Sequence, residues 1–265
     1  MTEIKAHVED LLRALKLKAV LAVYEEITER AAKNNLQYEE YLVPLLEEEL
    51  KRRQEASIKA KVGKAKFPFI KTMEEFDFSF QPGLKERKVI NLASLQFIEK
   101  KENIIFLGPP GVGKTHLSVG IGIKACMARY RALFISAQKL IEELVIAQRD
   151  GSLMEKLLFY SRLHLLIIDE LGYMPVTREQ ANLLFQLISI RYERESTILT
   201  SNYVFDEWGR VFDDHVVASA IIDRLVHHAH IFPINGSSWR IKDKLKSRHA
   251  VRVVVRQGQL LAASL

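Results

Sequence analysis

Thirteen residues constrain this chain more than any other stretch: NIIFLGPPGVGKT, residues 103–115. The apolar run Ile104, Ile105, Phe106, Leu107 leads into a loop where Gly108, Gly113, Lys114 and Thr115 stand at the G-x-x-x-x-G-K-[ST] spacing, and a helical apolar pattern follows over 117–129. Glycines let successive backbone N–H groups turn inward around phosphate oxygens, because no Cβ blocks the turn. A helix starting near Gly113 adds its positive end to the same anion. The loop residues Gly108, Pro109, Pro110, Gly111, Val112, Gly113, Lys114, Thr115 and His116 are therefore the expected nucleotide cradle. Lys114 is expected to reach the β- and γ-phosphates, and the Thr115 hydroxyl to complete a Mg²⁺ shell. The cofactors expected are ATP and Mg²⁺.

A phosphate loop alone binds nucleotide; hydrolysis needs more. LLIIDE, residues 165–170, is an apolar strand ending in two carboxylates. Asp169 is placed to share the Mg²⁺ shell with Thr115, and Glu170 to orient and deprotonate the attacking water. ILTSN, residues 198–202, is a second buried strand whose polar residues fall at its carboxyl end, the edge where open α/β sheets bind ligands. Asn202 is thus a candidate contact for the γ-phosphate or the water. Arg224, in AIIDRL, ends a helix just before the last strand, remote from its own loop and exposed at a domain edge. Supplied to a neighbour's γ-phosphate it acts as an arginine finger, an effect of roughly 10³–10⁵ in rate. The alternative is a surface salt bridge, with Asp223 as a partner.

Around this centre, 265 residues hold one large α/β domain and a smaller partner. The strand expectations are 103–107, 132–135, 165–169, 197–200 and 231–234, with helices over 117–129, 137–147, 178–191 and 217–225. Short apolar strands without polar alternation imply a five-stranded parallel sheet covered by helices on both faces, with right-handed crossovers. The single cysteine, Cys126, excludes a disulfide framework and a cysteine-based metal site, and its place on the apolar side of a helix makes it a buried thiol. The charged N-terminus lacks an apolar signal region and no run approaches 18 apolar residues, so a soluble, cytoplasmic protein is expected.

Residues 1–66 read as a helical domain, 67–240 as the ATPase domain and 241–265 as a basic tail. In the first part Val8, Leu11, Leu12, Leu15, Val20 and Ile27, then after Asn34-Asn35 Tyr38, Tyr41, Leu42, Leu45, Leu46 and Leu50, form an apolar face. Pro44 is expected in a first turn or at a kink. Glu47, Glu48 and Glu49, one turn before Lys51, Arg52 and Arg53, read as a solvated face. Lys59, Lys61, Lys64, Lys66 and Lys71 occupy an acid-free linker, and the tail carries Lys242, Lys244, Lys246, Arg248, Arg252 and Arg256 against one acid, Asp243. With a net charge of +6, these lysines and arginines are candidate contacts to DNA phosphates, each releasing counterions, or else simply solvated. Phe67, Phe69, Phe76, Phe78 and Phe80 form an aromatic cluster read as core, part of which is a candidate wall for adenine.

Several segments together carry a specific resemblance: GPPGVGKTHL, LLIIDELGYMP, LLFQLISIRYERESTILTSN, FDEWGRVFDD around Trp208, and AIIDRLVHHAH followed by GSSWR. They resemble the IstB-type helper ATPases of bacterial insertion sequences, relatives of the DnaC/DnaI helicase loaders and of the DnaA-like branch of AAA+ proteins. The resemblance covers almost the whole chain and implies an AAA+ fold, ATP-dependent self-assembly on duplex DNA and stimulation of a partner transposase. It puts the Walker A lysine on Lys114, the Walker B acids on Asp169 and Glu170, sensor 1 on Asn202 and the trans arginine on Arg224. A late S-x-R arginine falls on Arg240, preceded by Trp239 where tyrosine is common. Only about 30 residues follow Ile234, too few for the helical lid of typical AAA+ proteins. A replicative helicase loader is the alternative function. A metabolic kinase fits poorly with the acid pair and Arg224.

Overall fold

The computed structural model of the chain describes residues 2–236, 238 and 239. Two units result, Met1–Lys61 and Val62–Leu265, and the division falls inside one long helix. The first unit holds α1 (Thr2–Ala14), α2 (Lys18–Asn34) and most of α3 (Tyr38–Lys64). The break at Asn34-Asn35 is a left-handed cap: Asn35 has φ 51° and donates its N–H to the Ala31 carbonyl. Val20, Ile27 and Leu45 form a thin core with Leu12, Leu17, Val23 and Tyr41 against it. Leu11, Leu15, Leu42, Leu46 and Leu50, read as part of one apolar face, are exposed instead. Each helix buries one narrow stripe in the shared seam, and these residues lie around the cylinder from it.

Two other expectations for this part are corrected, those for Glu49 and for the lysines near residue 60. Glu49 is buried, not on a solvated face: one carboxylate oxygen accepts the Ala19 N–H at 2.9 Å and the other accepts Arg53 Nε at 2.8 Å. Its acidity is strengthened by the Arg53 guanidinium. Of the two places expected for Pro44, a first turn or a kink, the first is excluded: it lies inside α3, nearly two turns beyond the start. Lys59, Lys61 and Lys64 ride on the last turns of α3, not on a linker, because alanine and lysine around them favour helix.

The second unit contains the sheet: β1 (Asn103–Leu107), β2 (Ala132–Ser136), β3 (Leu165–Leu171), β4 (Ser196–Ser201) and β5 (Ala229–Pro233). All pairings are parallel and the order is β2-β3-β4-β1-β5. Alternate strand residues feed two cores. Ile105, Leu107, Leu166, Ile168 and Leu199 pack under α7 (Ala137–Arg149), α8 (Leu153–Ser161), α9 (Arg178–Arg191), the short α10 (Trp208–Val211) and α11 (His215–Val226). Ile104, Phe106, Leu165, Ile167 and Ile198 pack under the segment from Ala65 to Ile98, with its short α4 (Glu86–Asn91) and α5 (Gln96–Glu99), and under α6 (Lys114–Met127), where Cys126 is buried. Among the described residues no helix is long and apolar enough to cross a membrane.

The strand order decides which residues can meet. β4 lies between β1 and β3, so the ends of three strands distant in sequence stand side by side. Ligands in open α/β sheets bind at that carboxyl edge.

Candidate nucleotide site

The phosphate loop hangs between two neighbours. Gly108 donates its N–H to the Ser201 carbonyl at 3.1 Å, and Ile234, just past β5, donates to the Leu107 carbonyl at 2.7 Å. Gly108 and Gly113 have φ of 147° and 97°, values costly for a residue with a Cβ. A Cβ would also drive into the Ile234 carbonyl at Gly108 and into the Phe76 ring at Gly113. α6 begins at Lys114, so its unpaired N–H groups open onto the loop. Lys114 Nζ donates to the carbonyls of Gly108 (2.6 Å) and Pro109 (2.9 Å) and to Asn202 Oδ1 (2.7 Å). The lysine and the asparagine that the sequence singled out are thus joined directly.

The acid pair is split by an irregularity in the sheet. The β3–β4 register shifts between Ile168 and Leu171, and Glu170 has φ 61°. The bulge sends neighbouring residues to different surroundings: Asp169 is buried and Glu170 is exposed. Asp169 accepts from Thr115 Oγ1 at 3.1 Å to each oxygen and from Thr200 Oγ1 at 2.6 Å. Burial pushes the Asp169 carboxyl up; the Thr200 and Thr115 hydroxyls oppose this, Glu170 adds to it and Lys114 counters it. A buried carboxylate beside a hydroxyl is a hard oxygen pair. Mg²⁺, at about 2.0–2.1 Å from each ligand, holds adjacent ligands about 2.9 Å apart, close to the Thr115–Asp169 separation. The residues present fit the ion.

Thr200 was missed by reading the sequence, which singled out Asn202 two positions on. Its hydroxyl donates to Asp169 and accepts the Glu170 N–H at 2.8 Å, so one side chain fixes both acids. Only the strand order reveals this, since nothing local says that residue 200 faces residue 169. Thr200→Val keeps the shape and removes both bonds. The expected result is a drop of roughly tenfold or more in kcat with ATP affinity little changed, read from steady-state turnover and a nucleotide titration.

A cavity of about 540 Å³ opens from the loop, lined by Pro110 to His116, Glu170, Thr200, Asn202, Tyr173, Lys71 and the rings of Phe69, Phe76, Phe80 and Trp239. Three of the five clustered phenylalanines therefore face it; Phe67 packs near Gly122 of α6, and Phe78 stacks edge-on with Phe76 beside the core. His116 holds this wall, its Nε2 at 2.8 Å from the Thr72 carbonyl and its ring edge-on to Phe76. Trp239 is a second residue the sequence did not assign. Its N–H donates to the Gly111 carbonyl at 2.8 Å and its ring meets Phe80 edge-on at 5.1 Å.

Arg224 is not among the residues lining this cavity. It is half-buried rather than freely exposed: Nη1 donates to the Ala220 carbonyl at 3.1 Å, and the guanidinium sits 4.6 Å from the centre of the Phe185 ring. Lys59, Lys64 and Lys66 are exposed and Lys61 is half-buried. Arg240, Lys242, Lys244, Lys246, Arg248, Arg252 and Arg256, with the expected absence of a lid, lie outside the described residues.

The comparisons with known proteins agree with this geometry. The sequence profile of a family described as IstB-like ATP binding protein matches residues 10–247. A Pseudomonas aeruginosa protein named for ATP binding in insertion sequence IS21 is 45% identical over 239 residues, 90% of each chain. A Bacillus thuringiensis protein named likewise for IS232 is 44% identical over 232 residues, 88% of this chain and 93% of that one. Among solved structures, DnaI aligns with a TM-score of 0.51 at 22% identity, covering 63% of this chain and 91% of its own. The replication initiator DnaA bound to AMPPCP and single-stranded DNA aligns at 0.50 and 22%, covering 66% and 54%. These two likenesses are of fold. The second unit has the P-loop α/β fold that DnaI and DnaA share.

Proposed function

The chain belongs to the IstB-like ATP binding protein family, and from that premise we propose that it is a Mg²⁺-dependent ATPase that assembles on duplex DNA and assists a transposase in insertion-sequence transposition. The observation that carries the hydrolytic reading is the meeting at one cavity of Lys114, its partner Asn202, Thr115 and an exposed Glu170, with Asp169 bonded to Thr115 from behind. Lys114 leaves the loop carbonyls for the β- and γ-phosphate oxygens. Asn202, already bonded to it, turns toward the γ-phosphate or the attacking water. Thr115 and Asp169 would hold Mg²⁺, which would neutralise charge on the phosphate oxygens. Glu170 orients the water and takes its proton. The purine lies among Phe76, Phe80 and Trp239. Arg224, away from its own cavity, serves the γ-phosphate of a neighbouring subunit.

DNA binding in this reading is electrostatic and sequence-tolerant, through Lys59, Lys61, Lys64 and Lys66 and the basic residues 242–248. Affinity then falls with salt by about 0.9 log unit per log unit for each phosphate neutralised. The partner transposase and the AAA+ assembly are inferred from the insertion-sequence relatives. In domain terms, 1–66 is proposed as a helical module, 67–240 as the ATPase and 241–265 as a DNA-tracking tail.

Two variants test the shared site. Glu170→Gln is expected to bind ATP, stay assembled on duplex DNA and lose roughly 10²–10⁴ in turnover. Arg224→Ala is expected to bind ATP normally and lose roughly 10³ or more. Mixing the two restores activity, since an intact Glu170 then meets an intact Arg224 across a boundary. If the mixture stays as inactive as its parts, the trans assignment is wrong. DNA affinity that ignores salt refutes the phosphate-contact reading.

A further inference from the structure

Where α11 ends lies a cluster that the nucleotide chemistry does not use. Glu193, His227 and His228 are all exposed, and one ligating atom from each lies within 4.8 Å of the others. Glu193 Oε1 is 3.2 Å from His228 Nε2 and 3.8 Å from His227 Nδ1. The two imidazole centroids are 4.0 Å apart. A tetrahedral ion bonded at about 2.0–2.2 Å separates its ligands by about 3.3–3.6 Å, a span these two distances bracket. We propose that Glu193, His227 and His228 form a binding site for a divalent transition metal of the Zn²⁺ class, with the fourth position open to water.

The donor set decides the class. Two imidazoles and one carboxylate suit Zn²⁺, Co²⁺, Ni²⁺ or Cu²⁺, whereas Mg²⁺ and Ca²⁺ take all-oxygen shells. The ligands also stand on rigid parts. His227 caps α11, its N–H on the Asp223 carbonyl, and the His228 carbonyl accepts the Asn103 N–H at 2.7 Å where β1 begins. Glu193 belongs to the turn after α9, where Arg194 and Glu195 both donate their N–H groups to the Arg191 carbonyl. Tyr192 contacts the same nitrogen, its hydroxyl 2.6 Å from His227 Nδ1, and an ion bound there displaces that hydroxyl.

A bound ion ties the end of α11 to the end of α9, the two helices that Arg224 and Phe185 already join. The site is independent of nucleotide.

The test is a titration of the full chain, free of any affinity tag, with Co²⁺ followed by visible absorption. The expected result is one saturable site per chain with the absorption of a four-coordinate ion, displaced by Zn²⁺ and indifferent to excess Mg²⁺. His228→Gln and Glu193→Gln, both surface changes, each weaken it roughly tenfold or more. His230→Gln, which alters the nearby histidine that pairs with Glu102, leaves it unchanged. The proposal falls if no saturable site is found, if His228→Gln binds as the parent does, or if His230→Gln weakens binding as much.

Discussion

Replacing Lys114 with alanine abolishes ATP binding, a loss of roughly a hundredfold or more in affinity, about 3 kcal/mol. The geometry makes the effect larger than one missing charge. The ammonium pins the carbonyls of Gly108 and Pro109 and ties the loop to Asn202 on the neighbouring strand. Alanine removes the cation that meets the phosphates and the pin that shapes their cradle. Folding is held by the two sheet cores, to which the ammonium does not contribute. The melting temperature therefore stays near that of the parent while a nucleotide titration goes flat. An unchanged binding isotherm would sink the assignment of the site.

The largest expected loss of stability lies elsewhere, at Arg191. This residue is 1% exposed at the end of α9 and donates to the carbonyls of Tyr160, Leu163 and Ser196 and to the Thr197 hydroxyl. One guanidinium thus closes the end of α8, the loop after it and the start of β4. Burial pushes its pKa down to about 10, so it is still charged at neutral pH, with carbonyl dipoles in place of water. Arg191→Leu leaves those acceptors buried without a donor. The expected cost is about 3–5 kcal/mol, read as a shift in the urea midpoint at constant slope. A loss below about 0.5 kcal/mol, the range of an ordinary surface change, would refute the staple.

Arg191 marks where reading the sequence stopped short. The segment RYERESTILTSN was distinctive as a motif, but its pattern says nothing of which carbonyls one arginine reaches. Features whose causes are local were legible: the glycine loop, the strands of Ile104 to Leu107 and of LLIIDE, and the helix over 178–191 all depend on neighbours in sequence. The strand order was not, because a buried strand shows the same apolar run whichever strands flank it. That single unknown hid Thr200's hold on Asp169 and Glu170. Trp239 escaped for a similar reason, since its link to Gly111 joins residues more than a hundred apart. In the helical unit the periodicity of Leu42, Leu46 and Leu50 was real, yet period alone does not tell a seam from a stripe left in water. Glu49 misled in the opposite sense: its spacing to Arg53 is that of a surface pair, and its burial comes from the Ala19 N–H of another helix.

The position of β4 has a consequence for how the protein is made. β1 and β3 are not neighbours; one strand separates them, so without β4 their ends stand about 9–10 Å apart across an empty track. Lys114 and Asp169 both leave the ribosome before residues 196–201 do, and at that stage the chain holds both halves of the nucleotide site and no site. Insertion of the central strand brings the halves into register through Asn202 and Thr200. Nucleotide affinity is therefore expected to report on whether the central strand is seated between β1 and β3.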